Sequence, residues 1–441
     1  MNALERKITP LFLVKFTLPT IVMMVFNSFY TMVDGGFVSN FVGTDALSAV
    51  NIVYPVLSLV LAVGIMLATG GCAVVAKQMG EGKEREARQS FSMLSAVGAA
   101  LGVIIALVGV LFTKQIVIAL GANESIYAYC YDYAFYISLF APFSILQLLF
   151  QYFFVAAGRP NLGLVSTVLG GIANIVLDYV FIVPLNMGIK GAAIATGIGF
   201  AIPAVLGLVY FAGSLNAPLH FVRPVLHLRT LVLACANGSS EMVSNLSVAV
   251  TTFLFNVMMM KYIGPDGVAA ITIVLYAQFL FTAVFLGYTS GVAPLISYNY
   301  GAKNVRRLKK LYRLSMLFTA ACSVAAAILS VALAGTVVQI FAKPDTGVYG
   351  LAIHGMYLFA IGFLFMGLNI FASGLFTALS NGKVSAILSF LRTFVFIVAA
   401  VLILPSLLGV NGIWLSIPVA EGLALIVAAV YMIRLKDVYG Y

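Results

Sequence analysis

The stretch Gly170-Gly171-Ile172-Ala173-Asn174-Ile175-Val176-Leu177-Asp178-Tyr179 decides how this chain is read. It sets an amide and a carboxylate four residues apart in an otherwise apolar run of helical length, so both fall on one helix face. An Asp at the centre of a membrane helix costs about 2.5 to 3.5 kcal/mol on insertion scales, and such residues face a partner or a watery cavity. The fold therefore turns on whether the rest of the chain is membrane helix.

It is. Of 441 residues, 62% are hydrophobic and only 9% charged, far below the charge of an ordinary soluble domain. The apolar segments repeatedly reach the roughly 20 residues of a helical span, whereas barrel strands would alternate over about ten. The net charge of +10 does not mark a nucleic-acid partner, because the basic residues are scattered over short connections and report topology. Cys72, Cys130, Cys235 and Cys322 sit in apolar segments without metal-ligand spacing and read as packing residues. Arg6 and Lys7 precede an apolar run longer than a signal h-region, which reads as a first span left uncleaved.

Working outward, the pattern predicts twelve spans: 11–40, 45–78, 87–112, 126–153, 161–184, 190–214, 229–262, 267–300, 306–335, 350–380, 383–408 and 411–434. The connections on the amino-terminal side carry nineteen Lys and Arg, including Arg6, Lys77, Arg88, Lys303, Arg307 and Lys436. The other side holds Lys114, Lys190, Lys261 and Lys343, and Arg392 is left inside a span. By the positive-inside rule both termini lie in the cytoplasm of a multi-pass protein of the cell membrane.

The chain also repeats itself at one offset. Gly43, Gly80, Pro184, Gly188 and Gly191 reappear 221 residues later as Gly264, Gly301, Pro405, Gly409 and Gly412. Each copy holds six spans, and an even number makes the copies parallel, related by an axis along the membrane normal. The expected architecture is an all-α membrane protein of two six-helix lobes with pseudo-two-fold symmetry: 1–214, a cytoplasmic linker 215–228, and 229–441. A cavity between such lobes makes a transporter. A purely structural membrane protein would not need charges at mid-membrane depth.

Asp34, Asp178, Glu241 and Glu421 are the acidic residues lying well inside spans, with Asp132 near the start of the fourth. Asp34, Asp178 and Thr196 come out at similar depth on three helices of the first lobe. With Asn174 they offer hard oxygen donors that suit Na⁺, and the two carboxylates could equally share a proton. Pro19, on the helix of Asp34, removes an intrahelical bond and is the expected hinge. Glu241 could attract a cationic substrate, and Asn27, Tyr30, Gln147 and Gln151 could line its cavity. Arg392 and Glu421 fall at similar depth and are expected to pair. His220, His227 and His354 form no triad or metal motif with these acids, and no Walker A sequence appears. An enzyme is not expected, nor any cofactor.

On these features the sequence resembles the multidrug and toxic compound extrusion (MATE) family. The resemblance spans the chain: twelve spans in two lobes, Pro19 and Asp34 in the first, Asn174 and Asp178 in the fifth, Thr196 in the sixth, and the Gly80 and Gly301 loops. It implies export of organic cations by Na⁺ or H⁺ antiport through a V-shaped cleft, with Asp34, Asn174, Asp178 and Thr196 as the cation site. Some members carry a further acidic residue in the tenth span, where 350–380 has none. The expected function is a multidrug efflux antiporter working as a monomer in the lipid bilayer on small cationic molecules. A flippase for lipid-linked saccharides of related fold is the alternative, but it would want several basic groups in the cleft for pyrophosphate, and only Arg392 is available there.

Overall fold

The computed structural model describes residues 3–213 and 217–441, so residues 215 and 216 of the expected linker lie outside the described residues. A 3₁₀ turn, Ala3–Glu5, leads into α1 (Pro10–Phe37), which ends in a π turn, Val38–Val42. The first lobe continues with α2 (Thr44–Gly80), α3 (Glu84–Leu111), short α4 (Thr113–Ala119), α5 (Tyr127–Leu139), α6 (Ala141–Ala156), α7 (Pro160–Ile182) and α8 (Gly188–Gly213). The second contains α9 (Leu228–Tyr262), α10 (Pro265–Gly301), α11 (Val305–Ala332), short α12 (Ala334–Gln339), α13 (Gly347–Ala378), α14 (Gly382–Phe390), a π turn at Leu391–Val395, α15 (Phe396–Leu408) and α16 (Val410–Tyr439).

Among the described residues eleven helical segments are long and apolar enough to cross a bilayer, and α5 with α6 makes a twelfth, bent by 51°. That bend falls at Phe140, two residues before Pro142, whose ring cannot donate the next intrahelical bond. The lobes share a register as well as a motif. Residues 44 and 80 bound α2, and 265 and 301 bound α10; residues 84 and 111 bound α3, and 305 and 332 bound α11. These are the same 221-residue steps read from the glycines.

The connection between the lobes is pinned to α3. Arg88 Nε donates to the Pro218 carbonyl at 3.1 Å, the Val222 amide donates to Ser92 Oγ at 2.9 Å, and Phe221 stacks on Phe91.

The lobes meet along α2 with α9 and along α1 with α10. Glycine makes that approach possible. A Cβ on Gly70 would run into the Ala234 carbonyl, and one on Gly238 into the Met66 carbonyl. Gly80 and Gly301 abut the backbone of Tyr298 and Lys77 in the same way. Gly287 and Gly291 of α10 grip α1 at Thr17, Thr20 and Ile21, the turn around Pro19, through which α1 runs as one helix. All these positions lie on the half of the molecule that carries both termini, so the lobes are tightly closed there. On the other half α9 presents Val250, Phe253 and Val257 as exposed residues.

The second lobe is held internally by hydroxyls. Ser373 Oγ meets Ser385 Oγ at 2.9 Å and Ser389 Oγ at 2.8 Å, and Thr377 Oγ1 meets Ser385 Oγ at 2.7 Å and Ser240 Oγ at 3.3 Å. All are buried, binding α9, α13 and α14 by side-chain hydrogen bonds of the kind worth about 0.6 to 2 kcal/mol between membrane helices.

Candidate functional site

The first lobe contains a buried polar cavity enclosed by α1, α6, α7 and α8. Asn27, Tyr30, Gln147, Asn174 and Thr196 line it, with Gly170, Gly171 and Phe200 among the apolar walls. Its free space holds about one water molecule. A monatomic cation or a water fits; an organic molecule does not.

Small residues create this space. Gly199 of α8 faces the Asn174 Cβ, and a Cβ of its own would come within 2.9 Å of it. Gly171 lies against the Phe26 ring, which a Cβ would overlap. The helices thus close to backbone contact and leave the Asn174 side chain in the gap.

Asn174 and Thr196 each stand about 12 Å from the ends of α7 and α8 that lie away from the termini, so they share a depth. Asp178 is one turn beyond Asn174 on the same face, and Asp34 one turn beyond Tyr30. The carboxylates therefore lie about one turn outward of the lining residues Tyr30 and Asn174, and Asp178 is further out than Thr196, whereas the sequence reading puts it at the same depth. Asp34 and Asp178 interact with each other. Neither Asp178 oxygen, nor Asp34 Oδ1, nor either polar atom of Asn174 has a hydrogen-bond partner, although Asn174 is 1% and Asp178 0% exposed.

Buried polar atoms are normally paired, and leaving one unpaired costs on the order of 1 to 3 kcal/mol. Here several converge, with Thr196 Oγ1, which donates to the Ala192 carbonyl at 3.0 Å and keeps its lone pairs for the cavity. The arrangement suits a small cation or a shared proton. Tyr133 of α5, 3% exposed, lies near both Asp34 and Asp178. Sequence reasoning missed it, because a tyrosine in a membrane helix carries no periodic signal separating packing from a site.

The residues expected to bind substrate are divided by the fold. Asn27, Tyr30 and Gln147 line the first-lobe cavity with Asn174 and Thr196. Gln151 is turned to Thr167, with Nε2 donating to Oγ1 at 2.8 Å. Glu241 lines a second cavity between the lobes, with Thr69 and Cys72 of α2, Tyr152 of α6, Ser290 of α10 and Thr377 of α13. The two cavities share no lining residue.

Arg392 and Glu421 pair as expected. Arg392 Nε lies 2.9 Å from Glu421 Oε1 and 3.0 Å from Oε2, with side chains 14% and 3% exposed. Asp132 instead meets Lys190 at 3.5 Å, near the surface.

The sequence matches the MatE family model over residues 19–180 and 242–402, most of the chain. It is 22% identical to the multidrug export protein MepA of Staphylococcus saprophyticus, over 96% of this chain and 93% of the relative. It is 25% identical to the MepA of Staphylococcus haemolyticus over the same shares. Among solved structures, it superposes on a MATE protein in complex with MaL6 with a TM-score of 0.94, at 21% identity and covering 99% and 98% of the two chains. An outward-facing multidrug resistance MATE transporter of the MOP superfamily gives 0.91, at 22% identity and 97% and 96% coverage. A MOP superfamily transporter from Pyrococcus furiosus, described as having a binding pocket of reverse polarity, gives 0.90 at 21% identity, with coverage of 100% and 98%.

Proposed function

The chain belongs to the MATE family of transporters, and from that premise we propose that it is a secondary active efflux antiporter of the cell membrane, exporting organic cations in exchange for H⁺ or Na⁺. The single observation that carries this reading is the set of unpartnered buried oxygens on Asp34, Asn174 and Asp178, the second of which lines a space of monatomic size. Buried carboxylate and amide oxygens left without a protein partner make a site for a cation or proton that comes and goes.

In this reading Asp34, Asn174, Asp178 and Thr196 hold the coupling ion, and Asn27, Tyr30 and Gln147 form the walls of that site. Glu241, in the separate interlobe cavity, draws the cationic substrate. With both termini cytoplasmic, the closed half of the molecule is the cytoplasmic one and the cleft opens outward. Loading of the first-lobe cavity biases α1, and the turn around Pro19, gripped by Gly287 and Gly291, carries the bend to the lobe interface. The pairing of Arg392 with Glu421 argues against a flippase for pyrophosphate-linked saccharides, since it neutralises the basic group such a substrate would need.

The test is efflux of a lipophilic dye cation from proteoliposomes by the wild type, D34N and D178N. Both variants should fold and lose efflux; full transport by both would falsify the proposal. Efflux in sodium-free buffer under an imposed pH gradient assigns the ion: sustained transport means protons, collapse means sodium.

A further inference from the structure

The 221-residue register allows the lobes to be compared position by position. The first-lobe cavity is lined by Asn27, Tyr30, Gly171, Asn174, Thr196 and Phe200 among others. Their counterparts are Val248, Thr251, Arg392, Val395, Ile417 and Glu421. Most of the polar lining is gone from the second lobe, and an arginine and a glutamate stand where the first has a glycine and a phenylalanine.

The exchange is sterically balanced. Gly171 has no room for a Cβ because Phe26 fills the space beside it, whereas the counterpart of Phe26 is Ser247, small and buried. Removing a ring and adding a guanidinium keeps the volume filled. The π turn Leu391–Val395 occupies the register of Gly170–Asn174, which is regular α-helix within α7. It carries Arg392, whose Nε bonds both oxygens of Glu421. Glu421 is fixed in turn by Asn369, whose Nδ2 donates to Oε2 at 2.7 Å and to the Glu421 carbonyl at 2.9 Å.

We infer that Arg392 is a tethered cation: its guanidinium fills, in the second lobe, the position that the first lobe leaves open for a mobile monovalent cation, with Glu421 as its ligand. This rests on reading the first-lobe cavity as a cation site. The second lobe is then permanently loaded and exchanges no ion, so the coupling cation enters the first lobe alone.

Removing the tether should recreate an open site. In R392G, which installs the residue found at the equivalent first-lobe position, Glu421 is left facing a space shaped for a guanidinium. Equilibrium dialysis with radiolabelled guanidinium should then show about one additional saturable equivalent per chain relative to wild type. R392G/E421Q should not show it. Guanidinium taken up at Asp34 and Asp178 would appear equally in wild type and so cannot mimic the result.

Efflux by R392G should fall and recover when millimolar guanidinium is supplied, and R392K, which keeps a tethered charge, should retain most efflux while R392Q does not. If R392G fails to fold in ordinary buffer, it should be recovered when expressed and purified with guanidinium present. Equal guanidinium binding by wild type and R392G, no recovery with the ion, or wild-type efflux by R392Q would each overturn the inference. The first-lobe reading is judged separately by D34N and D178N, whose result does not alter the guanidinium count.

Discussion

Glu5, ahead of the first membrane helix, accepts a hydrogen bond from the Tyr298 hydroxyl at 3.0 Å, so the start of one lobe is tied to the end of α10 in the other. Arg307 Nη2 adds bonds to the carbonyls of Glu5 and Arg6, and the Lys77 ammonium lies 5.3 Å from the centre of the Tyr300 ring. These contacts all cross the lobe boundary on the closed half. The hydrogen bonds are exposed and the Lys77–Tyr300 contact is half-buried, each worth about 0.5 to 1 kcal/mol. The double variant Y298F/R307Q should therefore shift the balance between open states several-fold toward separation of this half. Spin labels placed on either side of the boundary should show a longer-distance population; an unchanged distance distribution would mean the backbone contacts alone hold the closure.

Those backbone contacts give a stronger handle. A methyl group at Gly70 or Gly238 overlaps a carbonyl of the facing helix, not a flexible side chain. G70A and G238A should each oppose closure by about 1 to 3 kcal/mol, the cost of overpacking a tight contact. Cysteine reagents applied from the side of the termini should label the interface faster in these variants, while helical content by circular dichroism stays unchanged.

Neither polar atom of Asn174 bonds another group of the protein. Replacing it by leucine removes that penalty and fills space, so N174L should unfold at a higher temperature, by roughly 1 to 2 kcal/mol of stabilisation, while losing efflux. A variant that is more stable and inactive separates a ligand from a packing residue; lower stability with normal transport would assign Asn174 to packing.

Asp132 offers a control. Its partner Lys190 is half-exposed and 3.5 Å away, a surface pair of the kind worth about 0 to 1 kcal/mol. D132N should transport normally and unfold within a degree or two of the wild type, whereas D34N and D178N should not transport at all. Loss of efflux in D132N would extend the functional carboxylates to the mouth of the fourth span.

Span number, duplication and the Arg392–Glu421 pair were legible because each leaves a mark in composition or spacing: long apolar runs, a repeated glycine register, and opposite charges at one depth. The bend at Phe140 left a mark that went unread, since Pro142 lies inside the predicted span 126–153. The π turn left none, because Leu391–Val395 contains neither proline nor glycine and its extra winding follows from tertiary packing. Residue types likewise identified the polar groups of the first lobe but not their division between two cavities. That division depends on which faces of α6 and α9 turn inward: Gln147 lines the first-lobe cavity and Gln151 donates to Thr167 of the same cavity, whereas the adjacent Tyr152 lines the interlobe cavity.

The hydroxyl cluster joining α9, α13 and α14 has a mechanical consequence. Ser373, Ser385, Ser389 and Thr377 satisfy one another across three helices, and relative sliding of any pair would break several of these bonds together. At the same register the first lobe carries Pro19, Tyr152, Ala156, Leu164 and Val168, which build no such hydroxyl cluster. The two halves are thus alike in outline and unlike in how their helices are fastened: three helices of the second are tied side chain to side chain, and their counterparts in the first are free to slip past one another by ordinary apolar contact.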